Sequence, residues 1–282
     1  MQKITVGCAN FGQTYGLLSK KINNNEIKKI FRFCSRNKIK SFDVADSYKG
    51  AYSVLAQNKF KTSIDTKVSP DSKWIETIYC ENHIKKILKI LKKKKINTLY
   101  IHHENFLLNK NSKKIISNLH LLKKKKYFKK LGLSIYDFKN LYFYIKKFKF
   151  DAIQCPFNVL DQRLYREGHI NKLKKLKIKI HVRSIFLQGI LLNKKLTIDK
   201  KFKKYSRFFK DYFNFLKFKN LNPVDYCLNF IFEFKKLDKI IIGINSKNNL
   251  NEILNYKKHK LLNYDLFNSS NDKFIIDPRK WC

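Results

Sequence analysis

The sequence has 282 residues, 44% of them hydrophobic, with 62 Lys and Arg residues against 21 Asp and Glu residues. This apolar content suffices for a large folded core and argues against a disordered chain. No apolar run reaches the ~18 residues of a membrane span, and segment 1–12 lacks the pattern of a signal peptide. We expect a cytoplasmic protein with a single domain over residues 1–282.

The formal net charge of +41 raises the question of a nucleic-acid partner. Only seven of the 62 basic residues are Arg, the residue that most often makes bidentate hydrogen bonds with bases and phosphates. The lysines are spread over nearly every amphipathic segment, as in 84–97 and 120–130, rather than gathered in one arm. We therefore predict no specific nucleic-acid partner, although weak binding to polyanions at low salt is expected.

Cysteine spacing indicates neither a metal site nor a redox pair. The chain has six cysteines, none in a CxxC arrangement or near histidines at zinc spacing. They are Cys8, Cys34, Cys80, Cys155, Cys227 and Cys282. Because most lie in apolar surroundings, buried free thiols are the expected state.

Eight short segments rich in β-branched residues have the pattern of buried strands. They are ITVGC (4–8), IKSFDVA (39–45), KTSIDTKV (61–68), INTLYIHH (96–103), KKLGLSI (129–135), FDAIQCP (150–156), IKIHVRS (178–184) and KIIIGI (239–244). Lys-rich amphipathic segments alternate with them, which favours a parallel sheet. The number of strands predicts an α/β fold of the (β/α)8 TIM barrel type. An open doubly wound sheet is the alternative, but segment 7–16 does not fit GxGxxG.

Functional residues of such barrels gather at the carboxyl ends of the strands. The polar candidates there are Asp43, with Tyr48 in the following loop, then Lys67, His102, His103, Ser134, Gln154, Asn158, Arg183, Ser184, Gly243, Asn245 and Ser246. A lone Lys or His at a strand end is usually a structural or solvated residue. The succession of Asp, Tyr, Lys and His at three consecutive strand ends instead favours a catalytic site.

Seven motifs follow one another along the predicted strands. They are GCANFGQTYG (7–16), DVADSYKGAYSVLA (43–56), TK (66–67), LYIHH (99–103), GLS (132–134), IQCPFNVLD (153–161) and RSIFLQGIL (183–191). Each is weak alone. In this order they make the chain resemble the aldo/keto reductase family over nearly its full length.

The resemblance implies an NAD(P)H-dependent oxidoreductase that interconverts a carbonyl and an alcohol. Asp43, Tyr48, Lys67 and His102 match the family's catalytic tetrad. Tyr48 would donate the proton, and Lys67, held by Asp43, would lower the pKa of Tyr48. His102 would donate a hydrogen bond to the carbonyl oxygen, and His103 would line the substrate pocket.

The resemblance also implies a set of cofactor contacts. Ser134 and Gln154 match residues that hold the nicotinamide carboxamide, with Arg183 and Ser184 beside the ring. Gly243, Asn245, Ser246 and Lys247 match the segment that holds the adenosine phosphate. The family favours NADPH over NADH, although the Arg often used for the 2′-phosphate is absent here.

Two departures fall in the tetrad's own loop. The family's glycine after the tyrosine is Lys49, and its glutamate is Tyr52. They leave open a second hypothesis, a barrel that binds cofactor without catalysis and acts as a regulatory or interaction subunit. The ending IIDPRKW (275–281) resembles a bacterial subgroup linked to surface-polysaccharide pathways, which suggests a sugar-like carbonyl substrate.

Overall fold

Eight parallel strands form a closed barrel in the computed structural model, which describes residues 3–17, 21–58, 60–259 and 263–281. The strands are β1 (Ile4–Gly7), β2 (Ser41–Asp43), β3 (Ser63–Val68), β4 (Ile96–Ile101), β5 (Phe128–Ser134), β6 (Ala152–Pro156), β7 (Lys179–Arg183) and β8 (Lys239–Gly243). Each strand pairs with the next, and β8 closes the barrel on β1. All eight predicted strands are present, and the predicted (β/α)8 barrel is confirmed.

Helices flank the barrel between the strands. They are α1 (Asn24–Arg36), α2 (Ala51–Ala56), α3 (Thr77–Leu91), α4 (Ser112–Lys124), α5 (Leu141–Phe148), α6 (Arg163–Arg166), α7 (His169–Lys175), α8 (Ser206–Phe218), α9 (Pro223–Glu233) and α10 (Lys247–Leu254). Segment 165–177, predicted as one amphipathic stretch, is divided at Gly168, whose φ of 70° is left-handed. No helix in the described part of the chain is long and apolar enough to cross a membrane.

The first helix shows how the lysines and the core are kept apart. Its buried residues are Ile27, Ile30, Phe31 and Cys34, spaced three or four apart on one face. The Asn23 side chain begins the helix by accepting a hydrogen bond from the Glu26 backbone N–H at 2.8 Å. The basic residues Lys28, Lys29, Arg32 and Arg36 are exposed, so the charge of this helix lies on its solvated face.

The five described cysteines are buried free thiols, which confirms that part of the prediction; Cys282 lies outside the described residues. Burial raises the pKa of Cys34 and of Cys227 to about 12, so both thiols are protonated at neutral pH. The tail, segment 274–281, packs on the barrel. Ile275 and Ile276 are buried there, and the Trp281 indole N–H donates to the Phe274 carbonyl at 2.8 Å.

A polar layer fills the barrel interior below the carboxyl ends of the strands. Asp65 is fully buried, forms an ion pair with Lys239 and accepts a hydrogen bond from Asn97 at 2.7 Å. The Tyr100 hydroxyl contacts Nδ1 of His181 across the barrel. Burial lowers the pKa of His181 to about 4, which keeps this imidazole neutral at physiological pH.

The low pKa of His181 makes stability depend on pH. The unfolded chain, with an ordinary histidine pKa, takes up a proton at higher pH than the folded one does, so stability falls as pH drops from 6.5 to 4. We expect wild-type protein to lose about 3 kcal/mol more free energy of unfolding over this range than His181→Gln. Urea unfolding followed by circular dichroism at several pH values measures the difference, and parallel curves would contradict it.

Candidate active site

A cavity of about 690 Å³ opens at the carboxyl ends of the strands. The family resemblance assigns thirteen residues to the site, and eleven of them line this cavity: Asp43, Tyr48, Lys67, His102, His103, Ser134, Gln154, Arg183, Ser184, Gly243 and Asn245. The other two, Ser246 and Lys247, lie just beyond its far end. The fold thus brings the predicted catalytic and nicotinamide residues to one place.

A buried ion pair forms the floor of this cavity. Asp43 ends β2, and Lys67 lies on the adjacent β3 with its Nζ in contact with Oδ1 of Asp43. The two residues are 4% and 2% exposed. Lys67 also donates to the Val44 carbonyl at 3.3 Å, and the Gln154 amide donates to Asp43 Oδ2 at 2.8 Å. These hydrogen bonds compensate part of the cost of removing both charges from water.

The loop after β2 holds Tyr48 beside this pair. Lys67 Nζ lies 5.6 Å from the centroid of the Tyr48 ring. The glycine that the family motif has directly after its tyrosine occurs one residue later here, and Gly50 adopts a left-handed φ of 73° at the start of α2. Gly12 permits close approach of the first loop, since a Cβ there would lie 2.7 Å from the Lys49 carbonyl oxygen.

Tyr52, the second departure from the family motif, has a structural role. Its ring is buried, and its hydroxyl lies 2.6 Å from Oγ1 of Thr66 in a hydrogen bond. Thr66 directly precedes Lys67 on β3, so this contact ties α2 to the strand that bears the lysine. The two departures therefore leave Tyr48 within the cavity.

Two stacked histidines form the wall next to Tyr48. The His102 backbone N–H extends the sheet by donating to the Val68 carbonyl at 2.9 Å. Its ring meets the Tyr48 ring at 80° with centroids 6.3 Å apart, and it stacks on His103 at 4.3 Å. Burial is the main reason that the pKa of His102 is lowered to about 3, and the positive charge of Lys67 contributes to the same shift. The imidazole is therefore neutral at pH 7 and carries one N–H.

The pKa of Tyr48 departs from the sequence-based expectation. Burial raises it well above the ordinary value, and the Asp43 carboxylate raises it further, whereas the Arg183 guanidinium opposes the rise. The resemblance implies that Lys67 lowers this pKa, but the charge of Lys67 is largely balanced by Asp43. Tyr48 is thus a neutral phenol at pH 7, a form that can donate a proton.

Arg183 lies against an aromatic ring that the sequence analysis did not single out. Its guanidinium carbon is 3.9 Å from the centroid of Tyr136, and that of Arg279 is 3.6 Å from the same centroid. Two guanidinium groups cannot share one ring face at these distances, so the ring lies between them. Arg279 is held by Asp277 through its Nε and Nη2. The tail motif thus supports the cavity wall.

The segment 184–193 forms another wall and has an unusual backbone. Ser184, Leu187 and Gln188 have φ values of 60°, 46° and 55°, which are costly for residues with a Cβ. Asn158 stabilises this conformation by donating to the Ser184 carbonyl at 3.0 Å. Asn158 is itself fully buried and does not line the cavity, so this strand-end candidate supports the wall from behind.

The cavity lining fits a nicotinamide dinucleotide. Gln154 Oε1 is buried and has no hydrogen-bond partner among the described residues, so it can accept from a carboxamide. Ser134 lies next to Gln154 in the sheet and lines the same cavity. Gly243 leaves open space where a Cβ would stand, which lets a ligand approach the backbone closely. Asn245 is in contact with Asn10 beside it.

The ion pair makes a direct prediction about stability. Lys67→Met leaves Asp43 as an uncompensated buried charge, and we expect a loss of about 3 to 5 kcal/mol in the free energy of unfolding. Adding Asp43→Asn should recover most of that loss. Lys85→Met, which removes the exposed partner of Glu81 at 2.8 Å, is the control and should cost less than about 1 kcal/mol. Additive losses in the double variant, measured by urea unfolding, would contradict a coupled pair.

Comparison with known proteins identifies the family. An aldo-keto reductase from Bacillus halodurans (holo form) has a TM-score of 0.68 at 13% identity, covering 94% of this chain and 89% of that one. The glycerol dehydrogenase from Gluconobacter oxydans has a TM-score of 0.70 at 13% identity, covering 98% and 91%. No curated protein matches the sequence. The family model matches residues 3–269, and the chain therefore belongs to the aldo/keto reductase family, whose enzymes generally use NAD(P)H.

Proposed function

We propose that the protein reduces a carbonyl to an alcohol, or catalyses the reverse reaction, with Tyr48 as the general acid or base. The observation that carries this proposal is the convergence of Asp43, Tyr48, Lys67 and His102 on one cavity. Reduction of a carbonyl requires a proton at oxygen and a hydride at carbon. A bound nicotinamide dinucleotide supplies the hydride.

Tyr48 supplies the proton in this scheme. Its burial keeps the phenol protonated at pH 7, so the proton is present when oxygen begins to gain charge. Lys67, 5.6 Å from the ring centroid, provides a positive charge close to the phenolate that forms when the proton leaves. Asp43 keeps Lys67 in position and balances its charge. In the oxidation direction the same phenolate would accept the proton.

His102 orients the substrate. As a neutral imidazole it donates one N–H, and it can direct this donor at the carbonyl oxygen beside Tyr48. A neutral donor is suited to this task because it does not compete with Tyr48 to release a proton. Stacking on His103 fixes the plane of the ring.

The dinucleotide would lie along the remainder of the cavity. Gln154 Oε1 and Ser134 can bind the carboxamide, with Arg183 and Ser184 beside the nicotinamide ring. Gly243 and Asn245 border the path toward the adenosine end. Both NADH and NADPH satisfy these contacts, because the two differ only at the 2′ position of the adenosine ribose. NADPH is the expectation from the family resemblance.

A hydroxylated carbonyl compound, such as a keto-sugar, is the proposed substrate class. The cavity lining includes His103, Tyr15, Tyr136, Gln188 and Asn193, all of which can hydrogen-bond to hydroxyl groups. One structural relative is a glycerol dehydrogenase, which acts on a small polyol. The proposed link to surface-polysaccharide metabolism rests on the tail motif 275–281 alone.

Replacing Tyr48 tests the assignment of the proton donor. In Tyr48→Phe we expect dinucleotide affinity to persist while turnover falls by about a thousandfold or more, since the general acid is lost. Tyr52→Phe, in the same segment, removes a hydroxyl that bonds Thr66 outside the cavity lining and should retain turnover. Steady-state kinetics and fluorescence titration of the reduced dinucleotide measure both effects. Undiminished turnover of Tyr48→Phe would exclude the assignment.

A further inference from the structure

The first turn of α10 borders the far end of the cavity. The cavity lining includes Asn245, before the helix, together with Asn249 in its first turn and Glu252 in its second. Ser246 is the N-cap residue of the helix. The amino end of a helix carries unpaired N–H groups and a partial positive charge, which attract a phosphate. The family resemblance assigns the adenosine phosphate to this segment, so an additional phosphate on the adenosine ribose is expected to meet these groups.

A carboxylate from another helix already occupies this position. The Lys247 backbone N–H donates to Oε1 of Glu26 at 2.7 Å. Glu26 lies in the first turn of α1, where its own backbone N–H is bound by the Asn23 side chain. With 22% of its side chain exposed, Glu26 is fixed by both helix ends and is partly shielded from solvent. The negatively charged group at this helix terminus is therefore the protein's own Glu26 carboxylate.

Other donors near the same turn are also engaged. The Asn249 backbone N–H donates to the Ser246 hydroxyl at 3.1 Å. The Lys247 ammonium lies 5.6 Å from the centroid of the Phe33 ring. Lys29 is 3.6 Å from Glu26 Oε2, but 64% of its side chain is exposed and the pair is therefore largely screened. The backbone N–H groups of Lys247 and Asn249 are thus already bound, and a phosphate that used either of them would have to displace a protein oxygen.

We propose that Glu26 makes this enzyme select the dinucleotide without a 2′-phosphate, NADH, over NADPH. The proposal rests on the proposed reductase function and replaces the family-based expectation of NADPH. A 2′-phosphate carries about two negative charges at neutral pH and would have to displace Glu26 or lie against it. The ribose hydroxyl of NADH can instead donate a hydrogen bond to the same carboxylate. A carboxylate therefore discriminates between the two cofactors by charge.

Fluorescence titration of the full chain with NADH and with NADPH tests the proposal without requiring turnover. We expect wild-type protein to bind NADH about tenfold more tightly. In Glu26→Gln the amide oxygen still accepts the Lys247 N–H while the charge is lost, so NADPH affinity should rise by about tenfold and NADH affinity should change little. Glu76→Gln, at an exposed position before α3, removes the same charge elsewhere and should leave both affinities unchanged.

The outcomes separate this proposal from the proposed function. Equal or tighter binding of NADPH by wild-type protein overturns the role of Glu26 and leaves the reductase function standing. An unchanged ratio of the two affinities in Glu26→Gln also overturns the role of Glu26 and leaves the reductase function standing. Binding of neither dinucleotide overturns both. A ratio that shifts equally in Glu76→Gln would assign the effect to overall charge, which also contradicts the proposal.

Discussion

Two opposite charges, on Asp43 and Lys67, lie buried at the carboxyl end of the barrel, where neither is stable without the other. The barrel supplies this arrangement because adjacent parallel strands bring together residues 24 positions apart in the chain. Gln154, from the far side of the barrel, donates to the remaining oxygen of Asp43. The ion pair and Gln154 thus link β2, β3 and β6 and form the floor of the cavity.

The groups proposed to act on the substrate lie beside this pair and are neutral. Burial keeps the Tyr48 phenol protonated and the His102 imidazole uncharged, and the charges of Asp43 and Lys67 next to them are paired with each other. Arg183 is the exception, because its guanidinium lies against the Tyr136 ring, and the described residues provide no carboxylate within ion-pair distance of it.

The sequence predicts the local structure of this molecule better than it predicts contacts between residues that are far apart in the chain. The eight strands and the residues at their ends follow from β-branched runs and the geometry of a parallel barrel. The contact of Arg279 with Tyr136 depends on how the tail folds back, and that of Glu26 with α10 joins residues 221 positions apart. The direction of the Tyr48 pKa was also missed, because a sequence shows neighbouring charges but not the depth of burial that outweighs them.

Single-turnover mixing tests the central claim, that this ion-paired site transfers a hydride and a proton to a carbonyl. Wild-type protein loaded with NADH, or with NADPH, is mixed with a panel of aldehydes, ketones and keto-sugars while the near-ultraviolet absorbance of the reduced nicotinamide is followed. The account predicts rapid loss of this absorbance with at least one hydroxylated carbonyl compound. Tight dinucleotide binding without oxidation by any member of the panel would contradict it and favour a barrel that binds cofactor without catalysis.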